Sequence, residues 1–264
     1  MEKEKEEEKQ MAAVLRTVMI LEALSKAGAV NLETLSKITH LPKATLLRFL
    51  STLSIQGYVY RDGADMYHLT LKMFSVGSRS LANMDIISTA KPFAEKLCRE
   101  LGETVHMGIL EDDMAIYILK EESKYTIRMW SSVGKAIPLY CTAIGKIFLS
   151  WMSDEDRNRY LDTHELKPFT PHSLKTREDL ERNLEEIRRS GWAMDNEEHE
   201  ENIKCIAAPV RDYTGAVVAA VSVSWPIFRF NENSIQYYAS TIKAAADEIS
   251  SILGYAEDGQ HSFH

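Results

Sequence analysis

Several positions in the C-terminal half of the chain have the types and spacing to hold a small anion. Ser222 and Ser224 stand two apart in an apolar run, so on a strand both hydroxyls face the same side. Thr142-Ala143-Ile144-Gly145-Lys146 opens a helical pattern, and a helix start offers free backbone N–H groups and the positive end of the dipole to a carboxylate. Asp195 lies just past Gly191-Trp192, and Cys205 begins a strand ten residues later. Together these groups would hold an acid by its carboxylate and by hydrogen bonds to its hydroxyls. Each also has a plainer role. The serines fit one exposed strand face, Thr142 fits a helix cap, and Cys205 fits a small core residue.

A second chemistry needs weighing. Asp195, Glu197, Glu198, His199 and Glu200 are dense in groups that bind metal ions, with Cys205 and His106 as further candidates. The run lacks the paired histidines of a zinc-protease helix, and no CxxC occurs. GxSxG, a phosphate-binding P-loop and the dinucleotide glycine fingerprint are missing too, since Lys146 after Gly145 lacks the upstream glycine. The residues therefore point to ligand binding without catalysis, with no metal and no cofactor. The alternative is a cytosolic metal-dependent enzyme with an incidental helix-turn-helix-like head.

TVHMGIL (104–110), MAIYILK (114–120) and YTIRMW (125–130) are short β-type runs separated by acidic turns, which marks an antiparallel meander. A helix is predicted from about 142 to 151, and acid-capped helical text at 154–161. Thr176 with Asp179 signals the start of a helix that Gly191 closes. KCIAAPVRD and TGAVVAAVSVSW form a strand pair around Asp212–Gly215, and residues 231–254 make a closing helix. Strands and helices in separate blocks give an α+β domain, not a parallel βαβ fold.

The N-terminal part reads differently. Residues 11–27 form a first helix, with Val14, Val18, Leu21 and Leu24 along one face and Gly28 at its end. Asn31 caps a helix over 32–39, a break containing Pro42 follows, and the next helix places Leu46, Phe49, Leu50 and Leu53 on a buried face. The opposite face carries Ala44, Thr45, Arg48, Ser51 and Thr52, with Lys43 at the start and Leu47 at the flank. Small, hydroxylic and Arg side chains suit a DNA major groove, where Arg reads guanine edges. Tyr58–Arg61, a turn at Asp62-Gly63 and Tyr67–Leu69 complete a winged helix-turn-helix, in which Arg61 is a further candidate for DNA contact. The plainer reading is a small helical core with a solvated face. Past the wing comes a linker placed roughly at 72–90, with Pro92 in the first turn of a new helix that ends at Gly102.

Charge supports the division. The chain has 264 residues and a formal net charge of −8, yet residues 11–72 carry seven Lys/Arg against four Asp/Glu. A basic head on an acidic body fits a DNA-binding module joined to one that does not bind DNA. Three widely spaced cysteines argue against a disulfide framework and for a reducing cytosol. MEKEKEEEKQ is a solvated charge run with no apolar core of a signal peptide, and no apolar stretch reaches the ~20 residues of a membrane span. A cytoplasmic protein is expected.

Five stretches in this order, LPKATLLRFLSTLSIQGYV, GETVHMGIL, VGKAIPLYCTAIGKIFLS, GWAMDNEEHEENIKCIAAPV and AAVSVSWP, resemble the IclR family of bacterial transcription regulators. YHLTLKMFSVGSRSLANMDII, IPLYCTAIGK and MDNEEHEE bring the chain close to that family's regulators of 2-keto-3-deoxygluconate metabolism. The resemblance implies a charged tail (1–10), a winged helix-turn-helix (11–72), a linker and dimerisation helix (73–88), a GAF-like α+β effector domain with an antiparallel sheet (89–256) and a short tail (257–264). It implies a homodimer or dimer of dimers on palindromic operator DNA, usually a repressor, answering to a small organic acid such as a sugar acid. By motif, the effector would meet the amides of Ala143 and Ile144 and the side chains of Asp195, Cys205, Ser222 and Ser224, while Lys43, Thr45 and Arg48 match DNA-contact positions. Three departures stand out. Ala44 replaces a common Ser, Leu47 replaces an aromatic or His, and Asn202 replaces a Gly, at a place where Asn best tolerates a positive φ.

Overall fold

In the computed structural model the chain divides into two units, Met1–Met84 and Asp85–His264. Residues 2–76, 85–126 and 131–256 are described, with side chains from residue 12 onward. The first unit contains α1 (Glu2–Ala27), α2 (Leu32–Thr39), α3 (Lys43–Ile55), β1 (Val59–Arg61) and β2 (Tyr67–Leu69). Asn31 Oδ1 accepts the Thr34 amide at 2.9 Å and starts α2. His40 in the left-handed region ends it, and Pro42, with φ already set, leads into α3.

Leu46, Leu50 and Leu53 of α3 are buried against Leu35, Val30 and the wing residues Val59 and Tyr67. Phe49 packs at the margin of this core. The first helix differs from expectation. Its buried residues are Ile20, Ala23 and Leu24, whereas Val14 and Val18 are exposed. Periodicity marks an apolar stripe but not how much of it a partner covers. The wing turn is also longer than an Asp-Gly pair. Asp62 Oδ1 accepts the amides of Ala64 and Met66, and Asp65 takes the positive φ in place of Gly63. Residues 77–84, within the expected linker helix, lie outside the described residues.

The second unit runs α4 (Ile86–Leu101), β3 (Thr104–Glu111), β4 (Met114–Glu121), β5 (Ala136–Pro138), α5 (Ala143–Trp151), α6 (Asp154–Thr163), α7 (Arg177–Ser190), β6 (Ala193–Asn196), β7 (Ile203–Arg211), β8 (Val217–Pro226) and α8 (Ile235–Ile252). The strands form one six-stranded sheet in the order β5-β4-β3-β8-β7-β6, antiparallel throughout. Pro92 is not in the first turn of its helix as expected. Asp85 caps α4 well upstream, accepting the Ile87 amide at 3.0 Å, and Pro92 sits inside the helix. An aspartate cap thus outweighs the proline as a start signal, and residues 86–90, read as linker, belong to the same helix.

The third meander strand also lies elsewhere than its sequence pattern suggests. Tyr125 and Thr126 are bends, 127–130 lie outside the described residues, and the strand that pairs with β4 is Ala136–Pro138. Three residues are too short for an alternation signal, and Pro138 is tolerated because β5 is an edge strand. Ala193, Ala207 and Ala220 present small side chains beneath α5, with Leu180, Leu184 and Ile187 of α7 completing that core. Alternate residues of β7 and β8 face the other way, and α8 packs against β7.

Candidate functional site

Cross-strand register lines up the polar groups. Asp195 pairs with Cys205, and Cys205 with Ser224. Ser222 pairs with His106 on one side and Ala207 on the other. Directly opposed residues share a face, so Asp195, Cys205, Ser222, Ser224 and His106 all point toward α5. Ser222 and Ser224 are buried, which removes the exposed-face reading. Above them α5 begins. Thr142 Oγ1 accepts the Gly145 amide at 3.0 Å and donates to Pro138 O at 2.7 Å. The first bond of the helix is Lys146 N to Thr142 O, so the amides of Ala143 and Ile144 have no partner within α5.

Those two residues line a small cavity together with Asp195, Cys205, Ser222, Thr142 and the apolar Ile137 and Ile203. Five of the six expected effector residues are thus brought together. Ser224 stands in the same row but does not line the cavity, its hydroxyl accepting from Cys205 Sγ at 3.2 Å. Tyr117, Ser131, Lys135, His199 and Glu200 also line it and were not anticipated as ligand contacts. They come from β4, the loop before β5 and the 197–202 turn, and no local spacing links them.

The turn that carries His199 and Glu200 is tightly made. Glu197 and Asn202 both take positive φ, Glu197 accepts the Asn202 amide at 3.0 Å, and Thr170 and Ser173 donate to the carbonyls of Glu197 and Glu198. Asn202 therefore does what a glycine would. The acids that suggested a metal are otherwise engaged. Glu198 accepts from Lys146 at 2.5 Å in a buried pair, Glu200 lies 3.7 Å from Lys135, and Asp195 Oδ1 accepts the Glu198 amide at 2.7 Å and the His199 amide at 3.4 Å.

Burial dominates the electrostatics. It pushes the Asp195 carboxyl up to about 7, with Lys146 opposing and Glu198 reinforcing the shift. His106 is pushed down to about 3, by burial first and then by Lys120 and Lys135, so its ring stays neutral. That ring stacks on Tyr117 at 4.5 Å and meets Ser131 Oγ at 2.7 Å. Burial and Asp195 both raise the Cys205 thiol, which is therefore inert. The arrangement offers amide donors and the Lys135 cation for an acid, and hydroxyls for a polar chain.

The other expected site is the exposed face of α3. Arg48, Ala44, Ser51 and Thr52 are exposed, Thr45 is partly so, and Leu47 stands open at the flank. Arg48 has no carboxylate partner among the described residues, and its guanidinium lies 5.5 Å from the Phe49 ring. Lys43 lies 3.9 Å from Glu33 and Arg61 2.8 Å from Asp65, both exposed pairs that a phosphate readily displaces. If Arg48 reads a base, Arg48→Ala should cost about 1–3 kcal/mol of specific operator binding, with far less change on random DNA. Competition gel shifts check this. Proportional loss on both DNAs would make Arg48 a phosphate anchor instead.

Comparison with known proteins bears on both sites. Residues 13–63 match the family description "IclR helix-turn-helix domain" and residues 78–251 match "Bacterial transcriptional regulator IclR C-terminal". The chain is 39% identical over 246 residues to the HTH-type transcriptional regulator KdgR of Escherichia coli (strain K12), covering 93% of this chain and 94% of that one. It is 33% identical over 244 residues to the HTH-type transcriptional repressor AllR of the same organism, covering 92% and 90%. Among solved structures, that of Thermotoga maritima IclR aligns with a TM-score of 0.63 at 32% identity, over 93% of this chain and 100% of that one.

Proposed function

Since the chain belongs to the IclR family of bacterial transcriptional regulators and is a DNA-binding regulator, we propose that it represses a sugar-acid catabolic operon and leaves its operator when a short hydroxylated or keto acid fills the cavity at the start of α5. The observation that carries this reading is the cavity itself, which sets the Ala143 and Ile144 amides, without partners among the described residues, beside the buried hydroxyl of Ser222 and the carboxyl of Asp195. A helix start holds a carboxylate but ignores what lies behind it. The buried polar groups supply the selection, because a plain fatty acid would leave them unpaired at about 1–3 kcal/mol each. The name KdgR carried by the Escherichia coli relative accords with a sugar acid, and AllR is itself named a repressor.

The protein acts in the cytoplasm as a homodimer or dimer of dimers, because one winged head reads too few base pairs for tight regulation and a palindromic operator needs two. Lys43, Thr45, Arg48, Leu47 and Arg61 meet the DNA. Ala143, Ile144, Asp195, Cys205 and Ser222 meet the acid, and Ser224 orients Cys205. Effector and operator are coupled by about 1–3 kcal/mol.

The test is a panel of sugar acids scored for thermal stabilisation of the full chain and for release of operator in a gel shift. An aldonate or 2-keto-3-deoxy acid should do both, and Ser222→Ala should abolish the thermal shift with little change in the unliganded melting temperature. A panel that shifts nothing, or a Ser222→Ala chain that responds like wild type, would overturn the site. Tighter operator binding with ligand would keep the site and reverse the sign of regulation.

A further inference from the structure

Asp195 lines the cavity, and the buried Lys146–Glu198 pair lies close to it without lining the cavity. Lys146 from α5 is given to Glu198, with Nζ to Oε1 at 2.5 Å, and both side chains are buried. Glu198 Oε2 is buried without a hydrogen-bond partner. Asp195, 4% exposed, has no ion-pair partner among the described residues. Its Oδ1 is taken by the amides of Glu198 and His199, while Oδ2 makes no bond to another described residue. Two carboxylates thus share one ammonium, and Asp195 is the one that faces the ligand space.

An acid seated on the Ala143 and Ile144 amides brings a further negative charge into this enclosure. We propose that Asp195 binds the effector as the neutral acid, its Oδ2–H donating to a carboxylate or keto oxygen of the ligand, so that above neutral pH each binding event takes up one proton from solvent. The inference rests on the effector reading above. In balance, the aspartate, one solvent proton and the anionic ligand become a neutral aspartic acid hydrogen-bonded to that ligand, and no covalent bond changes.

Around Asp195, burial and the Glu198 carboxylate favour the neutral acid, while Lys146 and the amides of Glu198 and His199 oppose it. Lys146 of α5 is the nearest cation and is already held by Glu198. The turn after β6 contributes His199, whose ring burial keeps toward the neutral form, and Glu200, which lies near Lys135 at the mouth. Cys141, Cys205 and the Tyr117 phenol around the carboxyl are all held protonated, chiefly by burial. Burial pushes the Asp195 carboxyl up to about 7, and an added anion raises it further. The sign follows. Well below pH 7 the group is already neutral and binding takes up nothing. Above pH 7 uptake approaches one proton, and affinity falls by up to about tenfold per pH unit.

Calorimetric titration of the full chain with 2-keto-3-deoxygluconate and with D-gluconate, at pH 6 and pH 8, in phosphate and in Tris, tests this. Buffer-dependent heat equivalent to about one proton at pH 8 and little at pH 6 is expected, with affinity about fivefold weaker at pH 8 than at pH 7. Asp195→Asn keeps the Oδ1 acceptor and places an N–H where the acid O–H stood, so it should lose the uptake and flatten the profile. Should that variant fold poorly, a carbon-13 carboxyl titration of Asp195 with and without ligand decides. Heat at pH 8 that is the same in both buffers, or proton uptake retained by Asp195→Asn, would overturn the inference alone. Absence of heat with every acid would remove the effector reading and this inference together.

Discussion

Lys146→Met should destabilise the second unit by about 3–5 kcal/mol, the range for removing one partner of a buried ion pair. Lys146 is 1% exposed, and its only ion-pair partner among the described residues is Glu198. Without the ammonium, the Glu198 carboxylate remains enclosed, with one oxygen unpaired already. The cost is the desolvation of that stranded charge, not the modest net value of the pair itself. Lys146→Met combined with Glu198→Gln should therefore recover most of the loss, since a neutral pair of similar volume carries no such charge. Urea unfolding of the full chain, followed through a probe in the second unit, measures all three. A double variant no more stable than Lys146→Met would show that Lys146 acts by packing its stem. The pair also ties α5 to the turn that carries His199 and Glu200, so the single variant should bind effector weakly even where it is folded.

Gly145→Ala is the second large effect. A Cβ on Gly145 would stand 2.3 Å from Leu139 Cα and 2.5 Å from Leu139 O. These are backbone atoms that no rotamer change can move aside. The substitution has to displace either the start of α5 or the segment joining it to β5, at about 3 kcal/mol or more, the upper range of overpacking in a filled core. Both movements shift the amides of Ala143 and Ile144. Loss of melting temperature should thus come with loss of ligand response, unlike Ser222→Ala, where only the response disappears. A Gly145→Ala chain that melts and binds like wild type would mean that the 138–145 corner relaxes freely.

The glycine illustrates why the site was only partly legible beforehand. Its role is to let α5 settle on the edge strand, and nothing in Thr142–Lys146 states that a backbone lies there. Gly108 is similar, beneath Ile144 with its methyl 3.1 Å from where a Cβ would be. Asn202 was legible, because a residue standing where relatives have glycine implies a positive φ, and φ is 66°.

What the chain determined by itself is local. Asn31, Thr142 and Thr176 cap their helices as their types require, because a side-chain oxygen reaches an amide three residues on whatever the rest of the fold does. The buried stripe of α3 follows from a period of 3.6, and the apolar β-type runs of β3, β7 and β8, buried along most of their length, and the turn at Asp212–Gly215 follow from residue type. Only the tertiary structure decided which part of an apolar stripe is covered, hence the exposure of Val14 and Val18. It alone decided that a three-residue edge strand ends the sheet, that Lys146 belongs to Glu198 across 52 residues, and that Ser224 serves Cys205 and not the cavity. Tyr117, Lys135, His199 and Asp195 acquire their character in the same way. Exposure, charge pairing and a shifted pKa are properties of neighbours, and here those neighbours come from distant strands and turns that share a site only once the sheet has closed its register.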